Sequence, residues 1–180
     1  GILCEQKSNL GIDEVTFHKQ TPLTKDAPKI KNLIDKGARL SVHEDRVESF
    51  KEIGLEPEFT MEEAVSRSSV VIDCTPKGVG HENKVKYYEN FSNQVKGFIA
   101  QGSESGFGKK YARGINDSAL NPEDKFIQIV SCNTHNISCL TKTIAFNEAS
   151  NHNLDKGDFI CIRRANDLSQ EESFIPAPKV

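Results

Sequence analysis

A chain of 180 residues is long enough for one domain, or one and a half, with an adequate core. Its 23 Lys and Arg against 26 Asp and Glu give a formal net charge of −3 with no basic block, so we expect no nucleic-acid partner. No apolar run approaches the roughly 18 residues that cross a membrane, and the first residues lack the pattern of a signal peptide, so we expect a soluble, cytoplasmic protein with no membrane partner.

The first half of the chain alternates strand patterns with helix patterns, which is typical of an α/β fold with a parallel sheet. Helix signals begin at Asp26, Asp45 and Thr60, where a capping residue precedes an apolar stripe. The strand candidates are Glu14–Phe17, Ala38–Val42, Val70–Ile72 and Val95–Ala100.

The run Val70–Ile72 predicts a strand that is buried on both faces and leads into a glycine-rich turn, Thr75–Gly80. Val95–Ala100 predicts a second buried strand that ends in Gln101–Ser103. Ligands of parallel sheets bind beyond the carboxyl ends of the strands, so both loops are candidates for contact with a ligand. The alternative is ordinary turn chemistry.

Cys132 lies where a strand pattern changes to a helix pattern. Phe126–Val130 alternates like a strand, and the apolar residues that follow recur at the spacing of an amphipathic helix. Free N–H groups and the positive end of a helix favour a thiolate, which is the form of a nucleophile, and Thr134 is suited to cap the first turn. The alternative is a structural cysteine, since a free Cys most often acts as a small apolar residue. The apolar helix positions are Ile137, Leu140, Ile144 and Ala145.

His135 lies three residues after Cys132 on the same helix face, within reach of the thiolate as a base, unless it faces solvent or a partner subunit. Asp158–Arg164 predicts a strand that ends in Arg163 and Arg164, two planar groups suited to a phosphate or carboxylate. Their alternative is a surface salt bridge. The five Cys fit reduced thiols, and the five His form no ligand pattern, so no metal site is predicted.

Four segments in this order and rough spacing resemble archaeal-type (type II) glyceraldehyde-3-phosphate dehydrogenase. The resemblance runs from about Val15 to about Pro178 and is most specific at Ser131–Thr134 combined with the Arg pair. The segments are Val71–Gly80, Ile99–Glu104, Val130–Thr134 and Ile162–Asp167.

The resemblance implies a Rossmann-like dinucleotide-binding domain at 1–131, whose parallel sheet lacks its first strand. The start of a mixed-sheet α+β catalytic domain follows at 132–180. No G-x-G-x-x-G fingerprint is present, and the catalytic His of the family belongs beyond residue 180, so the resemblance implies a chain truncated at both ends.

For the chemistry, the resemblance implies that Cys132 attacks the aldehyde carbon of a small phosphorylated aldehyde, that a hydride passes to NADP or NAD, and that inorganic phosphate cleaves the thioester. Asn133, Thr134, Arg163 and Arg164 would bind substrate or phosphate, and His135 is a candidate substitute base. The residues where the cofactor would pass are Lys19, Thr75, Pro76, Gly78, Gly80, Gln101 and Gly102.

Two alternatives stay open. A semialdehyde dehydrogenase also uses a Cys at a helix start, but it needs a carboxylate-binding Arg in place of a phosphate-selective pair. A non-catalytic dinucleotide-fold module, kept for oligomer assembly or partner binding, fits the missing fingerprint and the missing base. In either case an uncovered sheet edge and apolar face predict a homo-oligomer.

Overall fold

The computed structural model describes residues 1–101, 104, 106–146 and 154–161. The chain divides into two compact units, Gly1–Lys110 with Asn121–Ile129, and Tyr111–Leu120 with Val130–Val180. The domain boundary between residues 131 and 132 stays a prediction.

Strands and helices alternate along most of the described chain. The strands are β1 (Val15–His18), β2 (Ala38–Val42), β3 (Phe59–Thr60), β4 (Val70–Asp73), β5 (Gly97–Gln101), β6 (Lys109–Tyr111) and β7 (Phe126–Ile129). The α-helices are α1 (Ile2–Glu5), α2 (Ala27–Asp35), α3 (Val47–Glu52), α4 (Met61–Arg67), α5 (Val79–Lys86) and α6 (Cys132–Ala145). Short 3-10 helices cover Thr24–Asp26, Glu44–Arg46, Tyr88–Phe91 and Asp117–Ala119.

The strands form two sheets, with the orders β1-β2-β3 and β4-β5-β7-β6. Strand β2 is parallel to β1 and β3, and β5 is parallel to β4 and β7. Parallel neighbours need a crossover connection, and helices α2 and α5 provide it between β1 and β2 and between β4 and β5. The prediction of an α/β fold with Rossmann-like parallel strands is therefore confirmed.

Each sheet has its own hydrophobic core. Phe98 on β5 stacks on Tyr88 and Phe126 at ring-centroid distances of 5.1 and 4.9 Å, which gives the four-stranded sheet an aromatic core. The buried core of the three-stranded sheet contains five aliphatic residues and one aromatic residue. These are Ala27, Ile30, Leu40, Val42, Leu55 and Phe50.

Helix α4 begins where the sequence predicts it. The Thr60 hydroxyl accepts from the Glu63 N–H at 3.2 Å, and the Glu63 carboxylate accepts from the Thr60 N–H at 2.8 Å. This reciprocal capping box satisfies two N–H groups that a helix terminus otherwise leaves free, which confirms the helix signal at Thr60.

The prediction that Val70–Ile72 is buried on both faces is wrong. Val71 packs on the aromatic core, but Val70 and Ile72 are 48% and 44% exposed. Strand β4 is an edge strand that pairs only with β5 among the described strands. Its alternate residues therefore point to a sheet face that no described element covers fully.

The uncovered face continues across the sheet. Register places Ile72 beside Ile99, and Ile99 beside Ile127, so these side chains share one face. Val70 and Ile129 extend the row on β4 and β7. We call these five residues the aliphatic stripe. A contiguous apolar surface of this kind promotes association.

Lysine substitution in the aliphatic stripe is expected to weaken self-association of the chain. The double variant Val70→Lys/Ile72→Lys places two charges where apolar surface would be buried, so we expect at least about a tenfold higher dissociation constant. Light scattering across a concentration series measures it. The control is Val85→Lys, on exposed α5, which adds a Lys outside the stripe. A wild-type chain that is monomeric throughout would contradict the predicted homo-oligomer.

The predicted strand Asp158–Arg164 is not formed in its described part, residues 158–161. Ile160 there is 90% exposed, and the described residues supply no partner strand for its backbone groups. Helix α6 ends at Ala145. The mixed-sheet part of the catalytic domain stays a prediction.

Candidate functional site

Cys132 is the first residue of α6, three residues after β7 ends, and its side chain is exposed. The predicted strand-to-helix junction is confirmed. The cap differs from the predicted one: the Ser131 hydroxyl, not Thr134, accepts a hydrogen bond, from the Thr134 N–H at 3.2 Å. Ser131 holds the extended backbone conformation that a capping residue needs, whereas Thr134 is already helical.

The side chains next to Cys132 at the start of α6 are polar. The hydroxyl oxygens of Ser131 and Thr134 lie 2.8 Å apart and share a hydrogen bond. Asn133 is half-buried, and Thr134 is exposed. This arrangement leaves the sulfur accessible to solvent at the positive end of a 14-residue helix.

His135 is held by a backbone carbonyl. Its Nε2 lies 2.9 Å from the carbonyl oxygen of Arg113. A carbonyl oxygen only accepts, so Nε2 carries a proton, and in the neutral ring the lone pair is on Nδ1. Lys142, two turns along the same helix, donates to the carbonyl of Gly114 at 2.6 Å. The segment Tyr111–Leu120 is thus tied to α6 at two points.

Three of the predicted binding residues lie outside the described residues. They are Gly102, Arg163 and Arg164.

Asp73 organises the turn after β4. Its carboxylate is 4% exposed and accepts from Thr75 N–H at 2.9 Å, Asn83 Nδ2 at 3.0 Å and the Tyr88 hydroxyl at 2.7 Å. The Thr75 hydroxyl also donates to it. Desolvation by burial acts to raise the pKa of Asp73, but the hydrogen bonds from Asn83, Thr75 and Tyr88 outweigh it and lower the pKa below its ordinary value.

Glu104 holds the other end of the same turn. The side chain is 2% exposed, and its two oxygens accept from the N–H groups of Gly78 and of His81, the latter at 2.9 Å. Gly78 adopts a positive φ of 93°, which favours glycine. A Cβ on Gly80 would lie 3.1 Å from Glu104 Cγ and 3.3 Å from Asp73 Oδ1, so glycine is needed there for close approach.

The turn therefore differs from a phosphate-binding glycine loop. Two of the N–H groups at the amino end of α5 already bind a carboxylate of the chain itself. The exposed part of the turn includes Pro76 and Lys77, with Thr75 half-buried beside them. Sequence reasoning missed Glu104 and the role of Asp73, because the partners of Glu104 lie 23 and 26 residues away in sequence.

Lys19 follows the carboxyl end of β1. Its Nζ lies 2.6 Å from Asp26 Oδ2, and this ion pair is accessible to solvent. The hydrogen bond from Lys19 lowers the pKa of Asp26, and the charges of Lys19, Lys25 and Lys29 lower it further. Three lysines around one carboxylate give this corner a positive balance, which fits a phosphate group.

The neighbouring strand end is less suited to phosphate. A cavity of about 420 Å³ beyond β2 and β3 is lined by His43 and Tyr87, and also by three carboxylates, Glu44, Asp45 and Glu62. Such a lining repels anions. Gln101 ends β5 with an exposed side chain.

The described residues contain no group of three His, Cys, Asp or Glu side chains that could hold a metal ion. Among the helices of the described segments, none combines the length and apolar character needed to span a membrane.

Proteins with similar sequences are archaeal proteins named glyceraldehyde-3-phosphate dehydrogenase. The one from Pyrobaculum arsenaticum is 36% identical over 117 residues, which cover 62% of this chain and 32% of that protein. The one from Archaeoglobus fulgidus is 35% identical over 101 residues, covering 53% and 28%. The one from Saccharolobus islandicus is 32% identical over 154 residues, covering 79% and 42%.

The chain spans between 28% and 42% of the length of these curated relatives. No family model matches the chain.

Proposed function

The chain is a homologue of the archaeal glyceraldehyde-3-phosphate dehydrogenases, and on that basis we propose that it carries the nucleophile and cofactor-contacting residues of a phosphorylating aldehyde dehydrogenase. The observation that carries the proposal is the position of Cys132, exposed at the capped amino end of α6. All five cysteines are free, which supports a cytoplasmic setting as part of the proposal.

In the proposed reaction the Cys132 thiolate attacks the aldehyde carbon of a small phosphorylated aldehyde and forms a carbon–sulfur bond. The carbonyl oxygen takes up a proton, which gives a thiohemiacetal. Loss of that proton and of a hydride from the same carbon leaves a thioester. NADP or NAD, when bound, supplies the acceptor for the hydride. Inorganic phosphate then displaces the sulfur, which gives an acyl phosphate and regenerates the thiolate.

His135 is the proposed base. Its Nε2 is engaged with the carbonyl of Arg113, so Nδ1 has the lone pair that could take the hydroxyl proton of the thiohemiacetal. Asn133 and Thr134 would bind substrate or phosphate at the amino end of α6. Arg163 and Arg164 complete the proposal as the phosphate-binding pair, on the strength of the resemblance alone.

The cofactor contacts are proposed at three strand ends, those of β1, β4 and β5. Lys19 would pair with an adenosine phosphate, since its corner has a positive balance. Thr75 and Pro76 on the turn after β4, with Gln101 and Gly102 after β5, would contact the rest of the dinucleotide. Gly78 ends this turn and Gly80 lies in the first turn of α5, and their proposed part is to keep the backbone close to Glu104.

Loss of the Lys19 charge is expected to reduce affinity for NADP more than affinity for NAD. Lys19→Gln removes one cation near the proposed 2′-phosphate, which carries close to two negative charges, so we expect NADP to bind about tenfold more weakly and NAD about equally. Calorimetric titration of the full chain with each cofactor measures both.

The matched control is Lys51→Gln, which breaks a comparable surface ion pair with Glu48 on α3. It should change neither affinity. Failure of the wild-type chain to bind either cofactor would contradict the proposed function. If Lys19→Gln weakened the binding of NADP and of NAD equally, the proposed dinucleotide site would stand. Lys19 would then not be the residue that recognises the 2′-phosphate.

A further inference from the structure

The turn Cys74–Gly78, which joins β4 to α5, is fixed at both ends by buried carboxylates. Asp73 accepts from the N–H and hydroxyl of Thr75 at the start of the turn. Glu104 accepts from the N–H of Gly78 at its end. Because hydrogen bonds to ionised acceptors are roughly twice as strong as neutral ones, the turn is held in one conformation before any ligand binds.

Glu104 satisfies its own burial through the helix. A carboxylate that is 2% exposed is costly unless donors surround it. The N–H groups of Gly78 and His81 are such donors, and the eight-residue α5 directs its positive end at the carboxylate. The N-cap residue Gly78 has no side chain to cap α5. The carboxylate of Glu104, more than twenty residues away in sequence, caps the helix instead.

Gly80 shows how close this approach is. The space in which its Cβ would stand is bounded by Glu104 Cγ at 3.1 Å, Glu104 Cδ at 3.2 Å and Asp73 Oδ1 at 3.3 Å. The first turn of α5 thus lies between the two carboxylates. A side chain at position 80 would therefore press on these carboxylates and require one of them to shift by a few tenths of an ångström.

We propose that Glu104 is a positioning residue of the dinucleotide site, one that fixes the turn Cys74–Gly78 for cofactor contact and occupies the amino end of α5 in place of a cofactor phosphate. This inference rests on the proposed function. It follows that the turn contacts the cofactor through Thr75, Pro76 and Lys77, and that the N–H groups of Gly78 and His81 do not bind phosphate.

The test is Glu104→Gln in the full chain, titrated with NADP and with NAD by calorimetry. A glutamine has only one acceptor oxygen, and its NH₂ group would face the N–H of either Gly78 or His81. One of these two N–H groups then loses its acceptor, and this end of the turn is held less tightly. We expect about tenfold weaker binding of whichever cofactor the wild type binds more tightly. We also expect faster hydrogen exchange at the N–H groups of Gly78 and His81.

The control is Glu82→Gln, which removes the same charge from an exposed position in the first turn of α5. It should change neither affinity nor exchange. Should Glu104→Gln fail to fold, Gly80→Ala carries the test, because its Cβ presses on Glu104 and requires that side chain to shift by a few tenths of an ångström, while a Gly→Ala change otherwise favours a helix. Weaker cofactor binding is again expected.

Unchanged cofactor affinity in a folded Glu104→Gln or Gly80→Ala variant, with a lowered melting temperature alone, would overturn the positioning role and leave the proposed function standing. A wild-type chain that binds neither cofactor would overturn both.

Discussion

Replacement of Asp73 by Asn is expected to lower the free energy of unfolding by about 2–3 kcal/mol at neutral pH. The Asp73 carboxylate accepts four hydrogen bonds, from Thr75, Asn83 and Tyr88. An Asn side chain offers one acceptor oxygen, and its NH₂ group would face the donor of Asn83 or Tyr88. At least one buried donor is then left without an acceptor.

The loss of unfolding free energy in Asp73→Asn should become smaller as the pH falls. The pKa of Asp73 is lowered in the folded chain, so the stability that its ionised form contributes is present above the unfolded pKa, near 3.9, and is lost as the pH falls through the folded value. The difference between wild type and Asp73→Asn should therefore be full at neutral pH and shrink below about pH 4.

Urea unfolding followed by circular dichroism, at neutral pH and at about pH 3, measures this difference. Asp124→Asn is the matched control, because Asp124 forms an ion pair that is accessible to solvent. Its Oδ2 lies 2.7 Å from Lys109 Nζ. It should have a clearly smaller effect. An Asp73→Asn variant as stable as the wild type at neutral pH would contradict the role assigned to the carboxylate.

Local patterns in the sequence predict the α/β class with parallel strands correctly. The capping signal at Thr60 and the change of period between Phe126 and Cys132 both predict structure correctly, because each depends on interactions between residues three or four positions apart. The parallel arrangement of the strands likewise follows from their alternation with helices.

The failures come from contacts that are distant in sequence. An apolar run such as Val70–Ile72 reads as buried, but burial depends on what lies on each face, and β4 is an edge strand among the described strands. The sequence favours Thr134 as the cap of α6, but Ser131 provides it, because Ser131 has the extended backbone conformation of a capping residue and Thr134 is already helical. Sequence alone gave no reason to join Glu104 to Gly78.

The candidate site was predictable in part. The position of Cys132 at a strand-to-helix junction agrees with the prediction. The reason for Gly80 was not predictable, because the residue reads as a flexible or ligand-facing glycine and the structure gives it two carboxylate neighbours instead.

Cys132 is expected to react with iodoacetamide about tenfold faster than Cys139 at about pH 6. Both cysteines are exposed on α6, seven residues apart, so they have similar access and a common helix. They differ in position, because Cys132 is the first residue of α6, at the positive end of the helix dipole, and Cys139 is in the middle of the helix. The rates are measured together by mass spectrometry of the peptides.

Cys74 serves as a third reference in the same digest. Burial raises the pKa of the Cys74 thiol, and the charge of Asp73 raises it further, so Cys74 should be slower than Cys132. Ser131→Ala removes the hydroxyl that caps α6 and accepts from Thr134. This variant should narrow the ratio between Cys132 and Cys139 without changing the rate of Cys139.

The proposed chemistry is tested most directly by repeating the alkylation with glyceraldehyde 3-phosphate present. Addition of Cys132 to the aldehyde forms a thiohemiacetal, which withdraws the thiolate from iodoacetamide. We expect the alkylation of Cys132 to slow as the aldehyde concentration rises while Cys139 and Cys74 keep their rates. Equal rates for all three cysteines, with no protection of Cys132 by the aldehyde, would contradict its assignment as the nucleophile.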